Sequence, residues 1–149
     1  MKLFLDTGSV KGIEALAAIG IVDGITTNPS LMAKEGGDPR QILKQICQIV
    51  KGPVSAEVVA TDYNGMVREG RDLAAIDEHI VVKVPLTKDG VHACKPVGEG
   101  GTRVNVTLIF SATEALFAAK AGASYVTPFV GRLDDIGATG MNLVREIVD

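Results

Sequence analysis

The stretch HIVVKVPLT, residues 79–87, sets a lysine inside a strand. His79 to Leu86 is a short run of apolar, largely β-branched residues with Pro85 at its end, the pattern of a strand buried on both faces of a parallel sheet. Lys83 sits in its middle, where an unpaired ammonium would cost several kcal/mol. Its neighbours along the chain therefore have to explain it.

Outward from this strand, similar runs recur: KLFLD at 2–6, VDGITTN at 22–28, PVSAEVV at 53–59, RVNVTLIF at 103–110 and SYVTPFV at 124–130. Their starts are spaced roughly 20 to 30 residues apart, the length of one βα unit. Helical periodicity fills the gaps. DPRQILKQICQIV offers Asp38 as N-cap, Pro39 at the first helical position and one apolar face of Ile42, Leu43, Ile46, Ile49 and Val50. SATEALFAAKAG opens on a Ser111/Glu114 capping-box spacing and closes at Gly122. YNGMVREGRDLAAI and GMNLVREIV are further helices. In VHACKPVGEGG, Pro96 is expected to kink or end the helix, and GEGG at 98–101 reads as a turn. Alternating β and α elements imply a parallel sheet with right-handed crossovers, doubly wound or a (β/α)8 barrel.

The strand ends favour the barrel. Each run carries a polar group at or near its carboxyl end: Asp6, Thr26 with Asn28, Glu57, Lys83, Asn105 with Thr107, and Thr127. A barrel builds its active site there on many strands, whereas a doubly wound sheet gathers its ligands at one switch point. Each residue also has a plainer reading. Asp6, before Thr7 and Ser9, could cap the first helix, and Asn28-Pro29-Ser30 could be only a turn. Glu57 and Lys83 both interrupt buried strands and could form a structural ion pair.

Composition narrows the function. The chain has 149 residues, 46% hydrophobic, with a net charge of −3, enough for one domain, 1–149, with a sizeable core. The sequence pI near 5.4 and the absence of a basic block argue against nucleic acid. The start, MKLFLDTGSV, reaches Asp6 too soon for a signal sequence, and no membrane segment is seen, so a cytoplasmic location is expected. Cys47 and Cys94 lie in helical patterns and read as free core thiols. Two histidines without CxxC or HExxH give no metal pattern, no glycine-rich loop follows a strand into a helix, and no GxSxG is present. An amine withdrawn from water is biased toward its neutral form, which can attack a carbonyl and form a Schiff base. Glu57 and Asp6 are the carboxylates available to move protons. Asn28, Asn105 and Thr127 could hydrogen-bond sugar hydroxyls. These groups together describe a metal-free aldolase site.

In this order and spacing, FLDT, GITTNPSL, SAEV, VVKVPLT, NVTLIFS and PFVGRLDDIG resemble the transaldolase family, in particular its short bacterial and archaeal branch, from Met1 to about Asp149. The resemblance implies a (β/α)8 barrel of the class I aldolase kind. It implies transfer of a dihydroxyacetone unit from a ketose phosphate, such as sedoheptulose 7-phosphate or fructose 6-phosphate, to an aldose phosphate, with no metal or organic cofactor. By matching position it gives Lys83 the Schiff base and Asp6 proton transfer at the cleaved carbon–carbon bond. It gives Glu57 with Thr107 the activation of water, Asn28 and Asn105 the dihydroxyacetone moiety, Thr26 the pocket wall and Arg132 the substrate phosphate. Thr127 stands where the family usually has serine, and the added methyl narrows the pocket. Pro96 and the glycines after it interrupt what is usually a continuous helix. Fructose-6-phosphate aldolases, which release free dihydroxyacetone, usually show Gln and Tyr where this chain has Glu57 and Phe129, so both residues point to transaldolase. A third reading is a non-catalytic barrel remnant that binds sugar phosphate or a partner chain.

About six βα units are counted, whereas a closed barrel of this kind has eight. The expectation is a chain cut short at its C-terminal side, or a gap filled by another chain. The first is favoured because no surplus strand exists here to donate. Unpaired first and last strands and open barrel-lining side chains would invite association as a homo-oligomer, with Arg132 alone on the phosphate and weak or no activity.

Overall fold

The computed structural model describes residues 1–149. Strands and helices alternate: β1 (Phe4–Asp6), α1 (Val10–Ala17), β2 (Gly24–Thr26), α2 (Pro29–Glu35), α3 (Pro39–Val50), β3 (Val54–Glu57), α4 (Tyr63–Ala74), β4 (Ile80–Pro85), α5 (Lys88–Gly98), β5 (Arg103–Ile109), α6 (Ala112–Lys120), β6 (Tyr125–Pro128), α7 (Val130–Asp135) and α8 (Gly140–Val148). All six strands run parallel in the order β1-β2-β3-β4-β5-β6, each beside its sequence neighbour. The sheet curls. Phe4 on the first strand and Tyr125 on the last meet across its concave side with ring centroids 6.4 Å apart. This is the wall of a (β/α) barrel of six strands, as the polar strand ends lead one to expect, with β1 and β6 paired on one side only.

Side chains alternate across each strand, and the two faces divide by polarity. Ile25, Val54, Ala56, Ile80, Val82, Val84, Val104, Val106 and Ile109 join Ile13, Leu43, Ile46, Met66, Ala93 and Val97 of the helices in one core between sheet and helices. Asp6, Thr26, Ser55, Glu57, Lys83, Asn105, Thr107 and Thr127 take the alternate positions and face the concave side. No helix is long and apolar enough to cross a membrane.

Local chemistry sets the element ends. Asp38 caps α3 with Pro39 in its first turn, and Ser111 and Glu114 make both bonds of a capping box on α6. Three expectations change. The segment Asn28-Pro29-Ser30 is not only a turn: Asn28 caps α2, its Oδ1 accepting from the Leu31 N–H at 2.9 Å, and Pro29 opens the helix. Asp6 does not cap α1. Ser9 does, its hydroxyl accepting from the Gly12 N–H. Pro96 does not end α5, which runs to Gly98. Pro96 gives up one intrahelical bond and crowds the carbonyl of His92, and only Val97 and Gly98 of the helix follow it. The glycines that follow do form the turn, Gly100 and Gly101 both having positive φ.

Candidate active site

Strand register builds the site. Glu57 on β3, Lys83 on β4 and Asn105 on β5 are direct partners, so three polar side chains stand in one row across adjacent strands. Neighbouring parallel strands lie about 5 Å apart, close enough for these groups to touch. The Lys83 ammonium is 3.0 Å from Glu57 Oε2 and donates to the Thr27 carbonyl at 3.3 Å. Two of its three donors are thereby used. The Lys83 side chain is 7% exposed and that of Glu57 18%, so the carboxylate supplies the counter-charge that burial requires. The lysine that interrupts an apolar strand is thus ion-paired at rest.

A second row lies beside it. Thr26 donates to Asp6 Oδ1 at 2.8 Å across the β1–β2 register. The Asn105 amide is clamped at both ends: Nδ2 donates to Ser55 Oγ at 3.2 Å, and Oδ1 accepts from the Thr127 hydroxyl at 2.9 Å. Ser55 in turn is tied through its carbonyl, which accepts from the Thr27 hydroxyl at 2.7 Å. Thr107 is 1% exposed and its hydroxyl has no hydrogen-bond partner. Just beyond it, Leu108 adopts φ 64°, and the β5–β6 register slips between Thr107 and Ile109. Such a bulge re-aims side chains at the rim of a barrel. Here it returns Ile109 to the core and leaves Leu108 outside.

A cavity of about 510 Å³ opens at the carboxyl ends of the strands. Asp6, Thr26, Asn28, Lys83, Thr127, Phe129 and Arg132 line it. Glu57, Asn105 and Thr107 stand behind that wall, although Glu57 touches Lys83 directly. Asn28 has its oxygen committed to the cap of α2, which leaves its amide N–H groups for a ligand. Phe129 packs against Phe110, ring centroids 5.6 Å apart. Arg132, on α7, is an exposed side chain paired at 3.2 Å with Asp135, which also lines the cavity. An ion pair so open to water holds the guanidinium weakly and leaves it able to take an anion.

No group of three or more His, Cys, Asp or Glu side chains is arranged to hold a metal ion. The thiols of Cys47 and Cys94 are buried and unpaired, and burial pushes them up to about 12 and about 11. Neither is placed to act as a nucleophile.

Sequence reading missed Ser55, Thr27 and Asp135. Ser55 had a signal, since it lies two residues before Glu57 and so shares its face. The Thr27 contact is made by a backbone carbonyl, to which side-chain identity is blind.

Comparison with known proteins places the fold and the family. Among solved structures, the chain superposes on a mandelate oxidase with benzoyl-formic acid with a TM-score of 0.62 at 14% identity, covering 98% of this chain and 56% of that one. It superposes on the carboxyl transferase domain of Rhizobium etli pyruvate carboxylase with a TM-score of 0.62 at 15% identity, covering 98% and 33%. At such identities these likenesses speak for the barrel fold alone. Sequence relatives are much nearer. A "Probable transaldolase" of Desulforapulum autotrophicum is 57% identical over 149 residues, covering 100% of this chain and 69% of the relative. One of Methanococcus maripaludis is 58% identical over 148 residues, covering 99% and 69%. Residues 3–149 match the family described as "Transaldolase/Fructose-6-phosphate aldolase", and it is to this family that the chain belongs.

Proposed function

We infer that the chain performs transaldolase chemistry through a Schiff base on Lys83. The observation that carries this reading is a buried lysine, paired with one carboxylate and lining a polar cavity with another, Asp6. Proton transfer from the ammonium to Glu57 gives the neutral amine. Its nitrogen attacks the ketose C2 carbonyl, a C–N bond forms as the C=O π bond opens, and a proton passes from that nitrogen to the carbonyl oxygen, which becomes a hydroxyl. Protonated Glu57 then gives its proton to that hydroxyl, which leaves as water, and the nitrogen lone pair closes the iminium. Asp6 takes the proton of the C4 hydroxyl as the C3–C4 bond breaks, and the iminium accepts the electron pair. An aldose phosphate is released, and a dihydroxyacetone unit remains on Lys83 for transfer to a second aldose phosphate.

The substrate assignment rests on chemistry at the cavity. Asn28 offers N–H donors to the dihydroxyacetone hydroxyls, with Thr26 and Thr127 beside it. Asn105 acts one layer deeper, through Thr127. Thr107, whose buried hydroxyl lacks a partner, serves with Glu57 to hold the reacting water. Arg132 binds the phosphate, which would displace Asp135. Sedoheptulose 7-phosphate and fructose 6-phosphate are the proposed donors. Glu57 and Phe129 favour transfer over release of free dihydroxyacetone. A cytoplasmic homo-oligomer belongs to the same reading, supported by the unpaired edges of β1 and β6.

Borohydride reduction with fructose 6-phosphate present, followed by peptide mass mapping, tests the proposal. The expected adduct is on Lys83 and is abolished by Lys83→Arg, which keeps the charge but cannot become a neutral nucleophile. An adduct at another lysine, or none on the folded protein, would refute it. Adding erythrose 4-phosphate and identifying the products separates transfer from release.

A further inference from the structure

A second cavity, of about 400 Å³, lies on the far side of Glu57, between the carboxyl ends of β2 and β3 and helices α2, α3 and α4. Glu57 lines this cavity and not the one at Lys83. Asn28 lines both, and the Lys83–Glu57 contact joins a residue of the first cavity to a residue of the second. The opening is held by specific contacts. Glu69 Oε2 accepts from the backbone N–H groups of Val59 and Ala60 at 2.7 and 2.9 Å, fixing the β3–α4 turn on one side. Arg40 donates to the Asp72 carbonyl at 3.2 Å, tying α3 to α4 on the other. Met32 and Leu73 contribute apolar wall, and Arg40, the one cationic side chain lining the cavity, is engaged with the Asp72 carbonyl. A space of this size holds many waters and borders a carboxylate that can order them.

We propose that this cavity is the route by which the water released and consumed at the Lys83 imine reaches and leaves Glu57, separate from the mouth through which substrate enters. The inference rests on the Schiff-base reading. In that chemistry each imine formed expels one water at C2, and each imine hydrolysed takes one water back, Glu57 supplying or removing the proton. A bound sugar phosphate lies between Lys83 and the Arg132 end of the first cavity, so water leaving that way must pass the substrate. Water leaving past Glu57 meets only the carboxylate that has just protonated it. A separate route also lets the imine persist while an acceptor enters by the front, which is the condition for transfer.

The test uses fructose 6-phosphate labelled with ¹⁸O at C2. Each cycle of imine formation and hydrolysis exchanges that oxygen only if the expelled water escapes before it adds back. Ala33→Trp and Val59→Trp place bulk in the second cavity from two exposed positions that touch neither Lys83 nor the first cavity. In both variants, label loss per imine formed, corrected for exchange without protein, is expected to fall several-fold. Release of dihydroxyacetone from the preformed adduct should slow in parallel, while the borohydride-trapped yield on Lys83 is unchanged. Unchanged exchange and release in the folded variants would overturn the route and leave the Schiff-base reading standing. Absence of a Lys83 adduct in the unsubstituted protein would overturn both.

Discussion

Outward from the sheet, Ile25, Val54, Val82, Val84, Val104 and Val106 are at most 1% exposed and meet the helices as hydrocarbon. Inward, Ser55, Lys83, Asn105 and Thr107 are at most 5% exposed, and all four are polar, with Val81 the one buried apolar side chain beside them. Depth is the same and the consequence opposite. On the outer face each buried group adds transfer and packing energy without needing a specific partner. On the inner face each buried polar group needs a partner, and nearly all find one on another strand: Lys83 in Glu57 on β3, and Asn105 in Thr127 on β6 and, reaching past β4, in Ser55 on β3. The exception is Thr107, at the level of the proposed chemistry. The apolar core is thus built on one side of the strands and the proposed chemistry on the other, a division that substitution can break or sharpen.

The largest expected effect contrasts one inner with one outer residue. Lys83→Met should remove all adduct formation and transfer, and the Glu57 carboxylate left unpaired should lower stability by about 3–5 kcal/mol. Replacing both members, Lys83→Met with Glu57→Leu, should recover most of that loss in urea unfolding while staying inactive, because an apolar pair tolerates burial better than a lone charge. Ile25→Ala, on the outer face, should cost about 2–5 kcal/mol yet leave the folded fraction able to form the Lys83 adduct. If the double variant were no more stable than Lys83→Met, the unpaired Glu57 carboxylate would not be what destabilises the single variant.

Glu57→Gln separates charge from shape at the same position. An amide can hold Lys83 but cannot take a proton from water. Imine turnover should slow by the equivalent of about 2–4 kcal/mol, and products should shift toward free dihydroxyacetone. An unchanged rate and product ratio would take Glu57 out of the mechanism. One layer deeper, Ser55→Ala removes the acceptor for Asn105 Nδ2 and leaves that buried group unpaired, costing about 1–3 kcal/mol. Activity should fall with it, since Asn105 would no longer hold Thr127 against the cavity, and Ser55→Thr should restore part of both. Loss of stability without any change in the kinetics would make this clamp structural only.

The same division explains what could be read without coordinates. The outer face announced itself: β-branched runs at a βα spacing marked six parallel strands, Asp38 and Ser111 marked their helices, and the polar strand ends of the inner face then chose the barrel over a doubly wound sheet. The inner face was legible residue by residue, because a polar side chain interrupting an apolar strand is conspicuous, and Asp6, Glu57, Lys83 and Asn105 were found in that way. How the inner residues connect was not legible. Which of them line the cavity depends on the slip at Leu108 and on the curl that brings Phe4 to Tyr125. The second cavity depends on where α2 lies, and α2 was hidden because Asn28-Pro29-Ser30 carries the same residues as a turn. Pro96 misled because one lost bond can be absorbed by a helix that packs on the sheet, as α5 does through Ala93, Cys94 and Val97, and local sequence does not state that packing.

The smallest test compares the two ends of one strand. Lys83 lies toward the carboxyl end of β4, with the chemistry. Asp77 and His79 lie just before its amino end, where a barrel keeps groups that serve stability. Asp77 Oδ1 accepts from the His79 N–H at 2.9 Å and meets His79 Nδ1 at 2.7 Å. The backbone N–H first, and the ring with it, hold the Asp77 carboxyl below its ordinary value of 3.8. The folded protein therefore binds this proton less readily than the unfolded chain. The resulting stabilisation is complete above the ordinary value and disappears as pH falls through the depressed one. Asp77→Asn keeps an oxygen for the N–H but loses the charge. The variant should be slightly less stable than the parent at neutral pH, the gap should close below about pH 4, and adduct formation on Lys83 should be untouched throughout. A gap that persisted undiminished into acid would mean that the Asp77 charge is not what holds this end of the strand.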